Sequence, residues 1–197
     1  MKTFLSTTAV CLAIFPAFSQ DVVIPSTEVQ IKTAVMAAPD EKQADATVLG
    51  YNENGDLVEL KKGTNEMICI TDDPNGKGFS VSCYQAALEP FMIRGRELKK
   101  EGKSFQEIFD TREAEAKSGK LKMPNEGATL FVLSGDAENY NPKTGDVSDT
   151  YLRYVVYLPW ATSETTGLPL KPNAPGMPWI MDPGTHRAHI MITPPRD

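Results

Sequence analysis

Residues 66–84 read Glu66-Met67-Ile68-Cys69-Ile70-Thr71, then Asp72-Asp73-Pro74-Asn75-Gly76-Lys77-Gly78, then Phe79-Ser80-Val81-Ser82-Cys83-Tyr84. Two runs that favour extended chain flank a loop of Asp, Pro, Asn and Gly, which is how a β-hairpin is written in sequence. Centring it on Gly76 sets Cys69 directly across from Cys83. A cross-strand bridge is geometrically demanding, and a longer loop geometry would also join the two sulfurs. Either way the bond closes a loop of about 15 residues, which stabilises a fold by roughly 3 kcal/mol on the loop-entropy account.

Moving upstream, Asn54-Gly55 marks another hairpin, because a type I′ turn needs positive φ at both central residues and this pair tolerates it. That loop pairs Tyr51 with Val58, Leu49 with Leu60, Gly50 with Glu59 and Val48 with Lys61, leaving one face apolar. Ser26 can cap a helix in which Ile31, Ala34, Val35 and Ala38 share a stripe that Pro39 interrupts. Residues 39–46 have room for one further helical turn.

Downstream, Pro90 suits the first turn of a helix with Phe91, Met92, Gly95 and Leu98 inward, ending near Gly102. Ser104 and Glu107 form a capping box for a second helix, with a short apolar stripe of Phe105, Ile108 and Phe109 and a stop at Gly119. Glu113 and Lys117 make an i,i+4 pair on it, and the other charges read as exposed surface. Strands are expected at 128–133 and 151–158, with a last one at 188–192 closing the sheet. The proline-rich stretch 159–184 reads as a packed loop, because its large apolar side chains need burial. These signals predict an α+β fold: a mainly antiparallel sheet built from β-hairpins, with two helices packed against it. Residues 20–46 form an N-terminal helical segment in this reading, and residues 47–197 a single α+β domain.

Residues 1–19 have the form of a secretory signal peptide: Lys2, an uncharged run from Phe4 to Phe18, and small residues at Ala17 and Ser19. The apolar run is short for a bilayer core of ~30 Å, so no transmembrane segment is expected after cleavage. The expected location is secreted or periplasmic. Cys11 would leave with the peptide, and Cys69 and Cys83 would then be the only thiols in an oxidising compartment, where a single disulfide is the economical outcome.

Charge narrows the partners. The chain carries 20 Lys and Arg against 26 Asp and Glu, and losing Lys2 leaves 19 against 26. Such a chain has no overall field for phosphate backbones, so no nucleic acid is expected as a partner. Arg94, Arg96, Lys99, Lys100 and Lys103 are interleaved with Glu97 and Glu101 and read as a solvated helix face.

The two histidines of the chain, His186 and His189, stand three apart, with Asp182 the nearest carboxylate. Imidazole and carboxylate are zinc ligands, so these three are the candidate site for a transition metal, the one cofactor the sequence suggests. The neighbouring Ile190-Met191-Ile192 reads as strand, where residues three apart point to opposite faces, so only a turn at His186 brings the pair together. Tyr157, Trp160 and Trp179 either line a small-molecule cleft or form core beneath the long loop. Ser134-Gly135-Asp136 lacks the surroundings of a nucleophile elbow. Asp72, Asp73, Glu138 and Asp149 are carboxylates whose separation the sequence does not give, and that separation defines glycosidase chemistry. The acidic loops do not fit an EF-hand, and no glycine loop fits a phosphate cradle.

Three stretches together resemble a family of exported bacterial proteins of unknown activity: GTNEMICITDDPNGKGFSVSCY (63–84) with PFMIRGREL (90–98), ATLFVLSG (128–135), and ATSETTGLP (161–169) leading to PWIMDPGTHRAHIMI (178–192). The resemblance spans most of residues 48–192 and implies export and a single domain, without implying a substrate or catalytic residue. The ending, Gly184-Thr185 with His189-Ile190-Met191, is similar to that of other secreted proteins and makes His189 the first residue to test.

The functional expectation is a non-catalytic exported protein that binds a small molecule or an envelope protein, or supports the envelope structurally. A metal-assisted hydrolase using His186 and His189 competes with it, as does small-molecule capture at the Trp160/Trp179 loop. Export itself has a direct check. Amino-terminal sequencing of the protein recovered outside the cytoplasm is expected to start at Gln20 or just beyond, and a chain still starting at Met1 would contradict it.

Overall fold

The structure is a computed structural model describing residues 23–195; the leader read at 1–19 and Cys11 lie outside the described residues. Strands β3 (Met67–Ile70) and β4 (Phe79–Gln85) form the hairpin centred on Gly76, and Cys69 faces Cys83 across it in a disulfide. Both sulfurs are buried. Alternation along β4 sends Phe79, Val81 and Cys83 to one side of the sheet and Tyr84 to the other.

Around this hairpin grows an eight-stranded sheet in the order β2-β1-β3-β4-β5-β8-β10-β9, antiparallel except where β1 runs parallel to β3. The other members are β1 (Thr47–Tyr51), β2 (Leu57–Lys61), β5 (Ala128–Gly135), β8 (Tyr151–Tyr157), β9 (Trp179–Met181) and β10 (His189–Ile192). A separate two-residue pair, β6 (Tyr140–Asn141) with β7 (Asp146–Val147), caps the excursion between β5 and β8. The fold is α+β, with five helices accompanying the mostly antiparallel sheet.

The helices cover both faces. Helix α1 (Thr27–Ala34), capped by Ser26, continues into a single 3-10 turn and lays Ala34 and Ala37 over Val48, Cys69, Val81, Cys83 and Leu133. The buried stripe is Val29, Gln30, Thr33 and Ala34; of the expected residues Ala34 and Ala38 are buried while Ile31 and Val35 are only partly so, which rotates the face. Gln30 explains the rotation. Its side-chain nitrogen donates to the carbonyls of Pro25 (2.8 Å) and Tyr51 (2.9 Å), and its oxygen accepts from the Tyr51 N–H at 2.7 Å. A buried amide with all these partners is worth more than another alkyl group. After Pro39, α2 (Asp40–Gln43) is the expected further turn. The N-terminal segment is thus packed into the core, not appended to it.

On the opposite face lie α3 (Glu89–Lys100) and α4 (Phe105–Lys117), with Leu88, Phe91 and Leu121 meeting Tyr84, Ala128, Val155 and Tyr157. Pro90 sits in the first turn of α3, and Ser104 and Glu107 cap α4 reciprocally, as the sequence predicts. Among the described residues no helix is long and apolar enough to cross a membrane.

Two expectations need correction. The β1–β2 hairpin pairs Leu49 with Glu59, Gly50 with Val58 and Tyr51 with Leu57, one residue off for all but Val48 and Lys61. The loop is longer than a two-residue turn because the Asn52 side-chain oxygen accepts from Asn54 and Asp56, both at 3.0 Å, and Gly55 alone takes positive φ. This is a type I turn with a glycine bulge. Core contacts on that strand therefore fall to Val48 and Gly50, with Leu60 and Gln30 lying where a Gly50 side chain would stand. At the other edge β10 does not close the sheet: β9, from within the proline-rich loop, pairs outside it.

Replacing both bridge cysteines, C69A/C83A, is expected to lower unfolding stability by about 3 kcal/mol. A urea midpoint equal to that of the parent protein would show that the crosslink adds no constraint.

Candidate functional site

One line along α4 organises the C-terminal third of the molecule. Phe105, Phe109, Glu113 and Lys117 succeed one another at intervals of four, so they fall on one helical stripe. Against this stripe lies the segment that leaves β8 and returns into β10. The Arg187 guanidinium sits 5.2 Å over the Phe105 ring, and Phe109 meets the His186 ring edge-on at 5.0 Å. Glu113 binds His186, and the Lys117 ammonium lies 5.9 Å from the Trp160 ring.

The central contact is the closest. One Glu113 oxygen, Oε2, accepts from the His186 backbone N–H at 2.9 Å and lies 2.6 Å from its Nδ1. The other, Oε1, pairs with Lys117 at 2.7 Å. Burial alone would raise the Glu113 pKa, but the hydrogen bonds from Lys117 and His186 outweigh it and bring the carboxyl down to about 2. For His186 burial dominates and lowers the pKa, with Glu113 opposing in part. The geometry is that of a neutral imidazole whose Nδ1–H donates to a carboxylate, leaving the Nε2 lone pair. Its ring, 0% exposed, also touches Phe91 at 5.8 Å, and among the described residues Nε2 has no hydrogen-bond partner.

His189 faces the same side of the sheet from β10, beside Tyr157 with ring centres 5.1 Å apart. Its Nδ1–H donates to the Arg187 carbonyl at 2.7 Å, and burial lowers its pKa. Asp182 pairs with Arg187 at 3.1 Å. The turn that presents these groups is held by Thr185: its hydroxyl donates to the Asp182 carbonyl (2.8 Å) and accepts the Arg187 N–H (3.2 Å). Its own carbonyl accepts the Trp160 N–H at 2.8 Å. Trp160 and Asp182 both hold positive φ, 70° and 51°, which costs a non-glycine residue about 1–3 kcal/mol. Such strain persists only where neighbours over-determine the backbone, and here it brackets the His186 turn.

No family model, curated protein or solved structure matches this chain.

The metal set read from sequence does not assemble. Each Nδ1 of His186 and His189 is engaged elsewhere, the Asp182 carboxylate is taken by Arg187, and among the described residues no three His, Cys, Asp or Glu side chains group as ligands. The aromatic cleft divides in the same way. Tyr157 is core, packed on Phe91 and His189, while Trp160 is 39% exposed and Trp179 lies on the edge strand β9. Cavities of about 550 and 560 Å³ lie elsewhere, around the 72–78 loop.

The expected Glu113–Lys117 pair forms, but sequence reasoning missed the Glu113 contact with His186 and assigned Arg112 and Glu115 to exposed surface. Arg112 is buried with its guanidinium 3.9 Å over the Phe91 ring and a hydrogen bond to the Phe91 carbonyl at 3.3 Å, and burial lowers its pKa to about 10. Gly95 makes the room, since a Cβ there would stand 2.9 Å from that guanidinium. Glu115 takes Arg94 in a two-point contact at 2.8 and 3.0 Å. The rest of the basic stretch is likewise matched with carboxylates: Arg96 with Glu89, Lys99 with Asp73, Lys100 with Asp56 and Lys103 with Glu107.

Acid should loosen this corner. A carboxyl lowered on folding contributes stability above its unfolded pKa near 4.5 and loses it as pH falls toward about 2. A histidine lowered on folding works in the same direction below its unfolded pKa near 6.5. Glu113→Gln is therefore expected to cost about 1–3 kcal/mol at neutral pH. In urea titrations its deficit against the parent should shrink steadily between pH 4.5 and pH 2; a deficit independent of pH would refute the assignment.

Proposed function

We propose that the protein acts outside the cytoplasm as a binding protein without catalysis, and that the α4 corner is where it meets another protein of the cell envelope. The observation that carries this reading is the contrast between a sealed histidine and open rings on one helical stripe. His186 lies beneath the surface, where no substrate reaches it, whereas Phe105 is 67% exposed at the start of the same stripe. Trp160 stands in solvent at its other end.

The buried contact therefore serves as support. It fixes the turn on which Arg187 and Trp160 stand, and so presents two aromatic surfaces, each with a cation at one ring face, in a pre-set arrangement. Aromatic and arginine side chains held in place are what protein interfaces use as anchors, because little rotamer freedom is lost on contact. Lys117 and Arg187 are already matched by Glu113 and Asp182, so the patch is close to neutral and suits an apolar partner surface better than a polyanion. The disulfide fits an oxidising compartment, and the resemblance to exported proteins points the same way.

A photo-crosslinking residue at position 105, with another at Asn54 on the far edge of the sheet, tests this in the cells that make the protein. The expected result is one discrete protein adduct from position 105, absent from position 54 and lost with Trp160→Ala. Identical adducts from both positions, or none from 105, would remove the proposal.

A further inference from the structure

We infer that the cavity beside the 72–78 hairpin loop is a binding site for a small organic cation with an ammonium head and an apolar body. This site lies away from the α4 corner and does not depend on it.

The cavity holds about 550 Å³, within the range that small-molecule sites occupy. Its lining residues include Asp72, Asp73, Asn75, Tyr140 and Pro142, and contain no lysine, arginine or histidine. The Tyr140 ring is backed by the buried Phe79, with centroids 4.8 Å apart. A carboxylate oxygen left without a partner, beside the Tyr140 ring in a lining that holds no lysine, arginine or histidine, is recognition chemistry for an ammonium group.

Asp72 is the carboxylate that the fold leaves partly unused, whereas both Asp73 oxygens have partners. Asp72 is half-buried, and only its Oδ1 is engaged, accepting the Ser80 N–H at 2.7 Å. Its Oδ2 has no hydrogen-bond or ion-pair partner among the described residues. Asp73 turns one oxygen to the Asn75 N–H at 3.0 Å and has Lys99 at 3.7 Å from the other. Burial pushes Asp72 up to about 6, with the Ser80 N–H opposing and Asp73 adding to the rise. The groups facing this carboxyl are thus Asp73, the Ser80 N–H and the phenols of Tyr51 and Tyr140, and no cation sits close enough to hold it ionised.

Two other occupants fit less well. A bare divalent ion needs at least three hard ligands, and among the described residues no third His, Cys, Asp or Glu joins these two. An anion would meet two carboxylates.

Calorimetry on the purified protein at pH 6, in two buffers of different ionisation enthalpy, tests the site with benzylammonium and its neutral analogue benzyl alcohol. Benzylammonium is expected to bind with release of a fraction of a proton, and benzyl alcohol about tenfold more weakly or worse. Asp72→Asn keeps the oxygen that accepts from Ser80 and removes the charge, so it should weaken benzylammonium about tenfold or more at an unchanged melting temperature. If that variant melts lower, Asn75→Lys, which sets a cation on the exposed rim, should weaken binding in its place. Equal affinity for the neutral analogue, indifference to both variants, or no benzylammonium binding up to about 10 mM would overturn the inference.

Discussion

A single carboxylate oxygen holds the C-terminal part of this protein in place. Oε2 of Glu113 receives both the backbone N–H and the ring of His186, and through them it fixes the turn from which β10 enters the sheet. The contact joins residues 73 positions apart, so it contributes only once helix and sheet are both formed. Phe91 and Phe109 flank it with rings, and that apolar setting makes the charge-assisted bond strong and its loss expensive. Arg112, stacked on Phe91 and seated over Gly95, belongs to the same enclosure.

The two faces of the sheet are built by different means. Beneath α1 the contacts are small and aliphatic, with Ala34 and Ala37 allowing the helix to approach the disulfide closely. Gln30 supplies the specificity on that side by satisfying both backbone groups of Tyr51. Under α3 and α4 the contacts are larger and carry polar tips. Tyr84 reaches Glu89 and Arg96 there, and the rings around His186 continue the layer. A polar network of this kind defines one arrangement of helices and sheet more sharply than alkyl packing does, since misplacing any member strands its neighbours.

How much of this could be read in the chain depended on whether the signal was local. The hairpin register that joins Cys69 to Cys83, the capping box at Ser104 and the helix start at Pro90 are written in adjacent residues and were legible. The β1–β2 register was not, because the turn is decided by the Asn52 side chain binding two N–H groups, which outweighs the Asn54-Gly55 signature by one residue. On α4 the Glu113–Lys117 pair was legible, but hydropathy hid the rest: Arg112 and Glu115 look like solvent-facing charge, and Glu113 shows no sign of His186, until partners arrive from elsewhere in the sequence. The interval of four from Phe105 to Lys117 was the available hint. The two histidines were read as candidate metal ligands; their partners in the fold are Glu113 and the Arg187 carbonyl, and not each other.

The position of β10 has a consequence for biosynthesis. Among the described residues its four form the last strand in chain order, yet they lie between β8 and β9, inside the sheet. A nascent chain that stops after Met181 would possess both flanking strands and nothing to join them. It would also show an unpaired β8 edge to any other strand nearby. Completion of the fold therefore waits on residues 189–192, and a stop ahead of them would produce a sticky species and not a shortened working one.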